Sequence, residues 1–290
     1  MSNARSKKRI QSIAALFGYK LIRQGRYPIL KRFYKARFDQ NALAVLSPKL
    51  RETIDWPTKE FEEGYGLELT ATGSLWRTIP GGHKWIDFFP IYDREFSHLR
   101  GKQLRVLEIG VYKGASLKLW REFFGSDCMI VGVDINANCQ QFDDPASNIH
   151  VRIGSQSDSG FLRDVVREFG PFDLIIDDGS HLSHHQIASF NELFLDGLRS
   201  KGVYFIEDLE HVYWGHTSRP SAMDFLKMLA DMVNCVFQGT SYPDFSINSK
   251  KMRSSFSVPR LASLIESVKF YRSVAVIQKA NTHPPAVYHI

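Results

Sequence analysis

The sequence predicts an α/β fold: a doubly wound, seven-stranded sheet with an antiparallel last strand, preceded by a helical and loop-rich N-terminal extension. Three observations carry this. From Leu104 onward, short apolar runs alternate with amphipathic segments, the pattern of strand–helix–strand units. PFDLIIDDGSH (171–181) and GVYFIED (202–208) are apolar runs that stop abruptly in acids. Such runs, bounded by Gly, Pro and carboxylates, suit strands buried on both faces of a parallel sheet. The last two runs, ESVKFY (266–271) and SVAVIQK (273–279), follow in close succession and predict a terminal hairpin.

In chain order, residues 1–50 form a basic arm. Residues 5–37 are expected to be helical in two pieces broken near Gly25 and Pro28, with Ile10, Ile13, Ala14, Phe17 and Leu21 on one face. Such a helix is expected to pack on the body or on another subunit of a homo-oligomer. Its basic face also suits peripheral contact with an anionic membrane. Residues 51–100 form a connector whose Gly- and Pro-rich part could cover a site, with Trp56, Tyr65 and Trp76 lining it or pinning it down. Residues 88–99 predict a helix leading into the sheet domain, 101–290. There, strands are predicted at 105–111, 129–135, 149–154, 172–176 and 203–206. Helices are predicted at 116–124, 158–169, 184–198 and 220–235.

The net charge of +6 is uneven. Residues 1–40 hold eleven basic residues and one acid, while the remaining chain, with 26 basic against 30 acidic residues, is net −4. An acidic body argues against a broad nucleic-acid footprint. Cys128, Cys139 and Cys235 have no metal-ligand spacing, and a sparse odd set suits a reducing, cytoplasmic setting. No apolar run is long enough to span a membrane, and a secretory signal is not expected.

The motifs lie where parallel sheets bind ligands, at the carboxyl ends of strands. Glu108-Ile109-Gly110, followed by Gly114, lets a ligand approach the backbone at a helix start. Tyr112 and Ala115 stand where a dinucleotide fingerprint wants glycines, so a pyrophosphate has little room. Asp134, ending the second strand, can accept from ribose hydroxyls or cap a turn. Ser155 and Gln156, with Asp158, would border a base. Asp178, Glu207 and Asp208 converge if their strands are neighbours, with Asp177 and His181 beside them. Converging carboxylates need a cation or shared protons, and hard oxygen ligands point to magnesium. His181 then becomes a candidate base, its alternative being a helix-start histidine bonded to Asp177 or Asp178. His184 and His185 are expected on a helix surface.

The order LEIGVYKGASLKLW, VGVDI, GSQSD, DLIIDDGSH, GVYFIEDL and VKFYRSVAVIQK resembles the class I S-adenosylmethionine-dependent methyltransferases. More narrowly, it is similar to the metal-dependent macrocin- and mycinamicin-type sugar O-methyltransferases, related to the cephalosporin-hydroxylase-like group. The resemblance covers about residues 84–280. It implies Mg2+ held by Asp178, Glu207 and Asp208, with His181 as the base. It implies S-adenosylmethionine held by Glu108, Gly110, Asp134 and Gln156, with Gly114, Ser155 and Asp177 on the same side. The implied acceptor is a sugar hydroxyl of a glycoside, polysaccharide or natural product. Another small-molecule or lipid-linked acceptor, and a non-catalytic donor-binding protein, stay open as alternatives. GGHKWIDFFPIY departs from the family's Thr-Asp-Lys motif and keeps only its later Pro-Ile-Tyr part clearly.

Overall fold

The structure is a computed structural model that describes residues 19–24, 27–32, 45–51, 69–214, 220–246 and 248–287. The chain divides into two compact units, Met1–Glu60 and Phe61–Ile290.

In the first unit, β1 (Tyr19–Gln24) and β2 (Tyr27–Arg32) pair antiparallel, with Gln24 opposite Tyr27. This overturns the helix expected over these residues. The physical reason lies in composition: Tyr19, Ile22, Tyr27 and Ile29 favour a strand, and proline is tolerated in a strand at a sheet edge. A short helix, α1 (Pro48–Arg51), follows. The apolar face at Ile10, Ile13, Ala14 and Phe17, and the aromatics Trp56 and Tyr65, lie outside the described residues.

In the second unit, α2 (Ala71–Trp76) and α3 (Phe88–Phe96) precede the sheet. Thr70 caps α2, and Asp93 of α3 accepts from the amides of Ala71 and Thr72, tying one helix start to the other helix. The chain then alternates: β3 (Arg105–Ile109), α4 (Ala115–Phe124), β4 (Met129–Asp134), β5 (Ile149–Ile153), α5 (Ser159–Phe169), β6 (Phe172–Asp177), α6 (Ser183–Asp196) and β7 (Leu198–Ile206). After α7 (Ala222–Asn234) comes the hairpin of β8 (Ile265–Tyr271) and β9 (Val274–Lys279). The expected strands and helices of this unit are present, most with ends shifted by a residue or two. β7 is the exception, starting earlier, at Leu198.

The strand order is β5-β4-β3-β6-β7-β9-β8. β3 to β7 run parallel, and β9 is antiparallel to both β7 and β8. Apolar clusters cover both faces of the sheet. Tyr92, Phe96, Trp120 and Phe205 belong to one; Phe190, Leu193, Tyr204 and Phe225 belong to the other. This double burial is why the strands read as unbroken apolar runs. Helix ends have chemical stops. Asp158 accepts from the amides of Gly160 and Phe161 at the start of α5, and Ser221 and Asp224 form a capping box on α7. Buried Lys279 donates to the carbonyls of Phe194, Leu195 and Leu198 around the end of α6, where a cation is favoured. Among the described residues, no helix is long and apolar enough to cross a membrane.

Candidate active site

The order of the sheet reverses at β3, with β4 on one side and β6 on the other. At such a switch point the loops leave in opposite directions and open a crevice at the carboxyl ends. A cavity of about 430 Å³ lies there. Its lining includes Gly110, Asp134, Ser155, Gln156, Asp178, His181 and Asp208, contributed by the ends of five strands. The sequence-predicted residues Glu108, Gly114, Asp177 and Glu207 do not line it.

On one side, Asp134 accepts from the amides of Val111 and Tyr112, each at 2.9 Å, and of Asn136 at 2.8 Å. Partial burial acts upward on its carboxyl, but these backbone donors together hold it below the usual aspartate value. Gly110 has φ +98°, and a Cβ there would stand 2.1 Å from the carbonyl oxygen of Asp178. The β3 turn therefore passes directly against the β6 turn, and only glycine allows it. Gln156 is the clasp between the β5 and β6 turns. Its Oε1 accepts from Ser180 N at 2.8 Å, and its Nε2 donates to Asp177 Oδ1 at 3.1 Å.

Glu108 and Asp177 are fully buried supports. Glu108 accepts from Ser116 Oγ at 2.8 Å and Trp120 Nε1 at 3.0 Å, and burial pushes its carboxyl up to about 7. Burial likewise takes Asp177 to about 6, against donors from Ser189 and Gln156. Both carboxylates spend their oxygens on the protein itself.

On the other side, the ends of β6 and β7 are adjacent, with Asp177 opposite Ile206. Asp178, His181 and Asp208 offer ligand atoms that all lie within 4.8 Å of one another. His181 Nε2 stands 3.4 Å from Asp208 Oδ2. Among the described residues, His181 Nδ1, Asp208 Oδ1 and Glu210 Oε2 are buried with no hydrogen-bond partner. Burial lowers the His181 imidazole to about 4, so it is neutral at pH 7. Burial, Asp178 and Glu210 push Asp208 up to about 7. Glu207 has no exposed side-chain surface, and both its oxygens are engaged. Tyr92 Oη donates to one at 2.7 Å and Lys84 Nζ to the other at 2.6 Å. Lys84 also donates to Asp178. Burial alone would lower the Lys84 ammonium, but Asp178 and Glu207 together hold it well above the usual lysine value.

Sequence reasoning gave no role to Lys84 or Tyr92. The acids themselves were the available signal, since several converging carboxylates require a compensating charge from somewhere in the chain. His185, expected on the helix surface, lines the cavity and pairs with Ser180 Oγ at 2.8 Å. Trp76 lines the cavity and also packs on Phe89, so it fills both roles considered for it. The His211 ring packs at a tilt against those of His181 and Trp214, with ring centroids 4.7 and 4.8 Å away.

No family model matches the chain. Among curated proteins it is similar to 8-demethyl-8-(2-methoxy-alpha-L-rhamnosyl)-tetracenomycin-C 3'-O-methyltransferase of Streptomyces olivaceus, 36% identical over 203 residues, 67% of this chain and 50% of the relative. Mycinamicin VI 2''-O-methyltransferase of Micromonospora griseorubida is 39% identical over 163 residues, 50% of this chain and 39% of the relative. The chain thus spans half, or less, of the length of the curated relatives it matches. Among solved structures, the MycE methyltransferase of the mycinamycin biosynthetic pathway, in complex with Mg and SAH, superposes with a TM-score of 0.62 at 31% identity, covering 76% of this chain and 55% of that one. A further MycE structure, with Mg, SAH and mycinamycin VI, gives a TM-score of 0.61 at 28% identity over 92% of this chain and 68% of that one. The chain has the α/β methyltransferase fold, and in sequence it is similar to the macrocin- and mycinamicin-type sugar O-methyltransferases.

Proposed function

We propose that this chain is a divalent-metal-dependent O-methyltransferase that uses S-adenosylmethionine and acts on a sugar hydroxyl of a glycoside. The observation that carries the reading is the convergence of Asp178, His181 and Asp208 at one end of a cavity whose other side holds Asp134 and the Gly110 turn. The donor set fits a hard cation. It has carboxylate oxygens beside a neutral imidazole, and among the described residues one buried oxygen of Asp208 receives no hydrogen bond. Asp178 and Asp208 would hold the ion, with Glu207 completing the set through an oxygen now engaged by Lys84 or Tyr92.

When bound, the ion supplies acidification of a hydroxyl, and the donor supplies an electrophilic methyl group. The chain's own residues do the rest. His181 is assigned the base. Neutral, and with an unpartnered ring nitrogen, it accepts the hydroxyl proton as the oxygen attacks. Asp134 presents its carboxylate, already oriented by three amides, to ribose hydroxyls. Gly110 removes the side chain that would block the donor, and Ser155 and Gln156 border its base. Glu108, Asp177 and Gly114 position these groups from behind.

The acceptor class has support beyond the relatives. Trp85, Tyr213 and Trp214 are about half exposed. Trp85 Nε1 donates to Glu210 at 3.0 Å, and the His211 ring packs at a tilt against Trp214 and His181. Exposed aromatic faces next to polar groups suit the apolar face of a sugar ring and its hydroxyls.

Calorimetric titration with S-adenosylmethionine and S-adenosylhomocysteine, with magnesium and with chelator, tests the donor site. Micromolar binding of both ligands is expected, followed by magnesium-dependent methyl transfer to a rhamnoside or related glycoside. Folded protein that binds neither ligand overturns the reading. Donor binding without transfer to any glycoside removes the sugar acceptor.

A further inference from the structure

Lys84 is the cation of the acid cluster, and the motifs do not announce it. Its side chain is 5% exposed, and its ammonium lies between two carboxylates, Asp178 and Glu207, the latter fully buried. Tyr92 Oη holds the far oxygen of Glu207 at 2.7 Å, so the carboxylate is fixed from both ends. Taking an ammonium and a carboxylate out of water is costly unless each is paired, and here the pairing is complete. Lys84 therefore supplies, from the chain itself, the positive charge that the converging acids require. A dication bound by Asp178 and its neighbours would share a ligand with this ammonium. Like charges so close, in a buried setting, oppose each other strongly.

We propose that Lys84 is the resident cation of the acid cluster: it holds Asp178 and Glu207 together before the divalent ion arrives, and it competes with that ion. The inference rests on the metal reading of the site. It separates two properties that a purely structural lysine would move in the same direction. Loss of Lys84 destabilises the protein in chelator, because Asp178 and the fully buried Glu207 then lose the cation between them. The same loss strengthens binding of the divalent ion, because the competing charge is gone.

The test is magnesium binding by calorimetry, and thermal unfolding in chelator and in magnesium, for the wild type and for Lys84→Met. The expected result is a lower unfolding temperature in chelator, a larger rise on adding magnesium, and magnesium affinity tighter by about tenfold. Unchanged or weaker affinity in a folded variant overturns the proposal. Lys84→Gln keeps a hydrogen-bond donor between the carboxylates without the charge, and serves if Lys84→Met does not fold in chelator. Folding of either variant only with magnesium supports the proposal. Failure of both to fold even in magnesium overturns it, since the ion would then be unable to replace the lost charge. A wild type that binds no magnesium removes the metal reading and this inference with it, whereas wild-type binding with unimproved variant binding removes this inference alone.

Discussion

His181 and Asp208 face each other from the ends of neighbouring strands, Nε2 3.4 Å from Oδ2, and both hold their backbones in the left-handed region, at φ +57° and +55°. Non-glycine residues seldom adopt this conformation, and they do so mostly where the surroundings over-determine it. Each side chain is thereby aimed by its own backbone as well as by its neighbours.

The base assignment gives a clean variant. Asparagine tolerates the left-handed region, so His181→Asn removes the imidazole while keeping the turn. Turnover is expected to fall by about 10²–10⁴-fold, with donor affinity and unfolding temperature close to wild type. Turnover within a few-fold of wild type, measured by methyl transfer to a glycoside, removes His181 from the reaction.

Asp178→Ala and Asp208→Asn remove carboxylate oxygens from the converging set. Magnesium binding, followed calorimetrically, and magnesium-dependent turnover are both expected to be lost, while S-adenosylhomocysteine still binds. Glu207→Ala is expected to lose metal-dependent turnover too, and to unfold earlier, because Tyr92 and Lys84 lose their shared acceptor. Full activity in any of the three contradicts its place in the metal set.

Asp134→Ala strands three backbone amides and takes away the proposed ribose acceptor. Donor affinity should drop by about tenfold or more, with magnesium affinity unaffected. Equal donor affinity would make Asp134 a turn cap and nothing else.

Glu108 carries a predictable pH signature. In the folded chain it keeps its proton up to about 7, against an ordinary value of 4.5. Between these values the folded state binds more protons than the unfolded one, so this group's contribution to stability falls as pH rises through the window and levels above it. Glu108→Gln can still accept from Trp120 and donate to Ser116, and it does not titrate. Its stability relative to wild type should therefore rise from the acid end of the window to the neutral end. Denaturant unfolding at both ends checks this; a constant difference would mean that Glu108 titrates alike in both states.

Gly110→Ala tests the turn. The added Cβ would meet the Asp178 carbonyl at 2.1 Å, and φ +98° is a conformation that alanine avoids. A loss of several kcal/mol in unfolding free energy is expected, together with loss of donor binding in whatever remains folded. A wild-type unfolding midpoint would show that the turn can move aside.

The strands of the sheet were legible because burial on both faces leaves uninterrupted apolar runs, and Asp134, Asp178, Asp208 and His181 were legible because they stand where those runs stop. Glu108 was harder. It lies inside β3, where alternation turns its side chain toward Ser116 and Trp120 rather than toward the cavity. The β1–β2 pairing was misread because the apolar stripe from Ile10 to Leu21 carried a helical reading into residues whose Tyr and Ile favour strands. Lys84 could not be read from local pattern at all. Its partners lie 94 and 123 residues away, and only the assembled sheet brings them to it.

That long reach sets where the chain can be cut. A fragment beginning at residue 101 would keep every strand of the second unit, and every acid at their ends, yet lose the ammonium between Asp178 and Glu207 and the phenol on Glu207. Its sheet would close around uncompensated negative charge. The smallest piece able to assemble this centre unaided therefore starts upstream of Lys84.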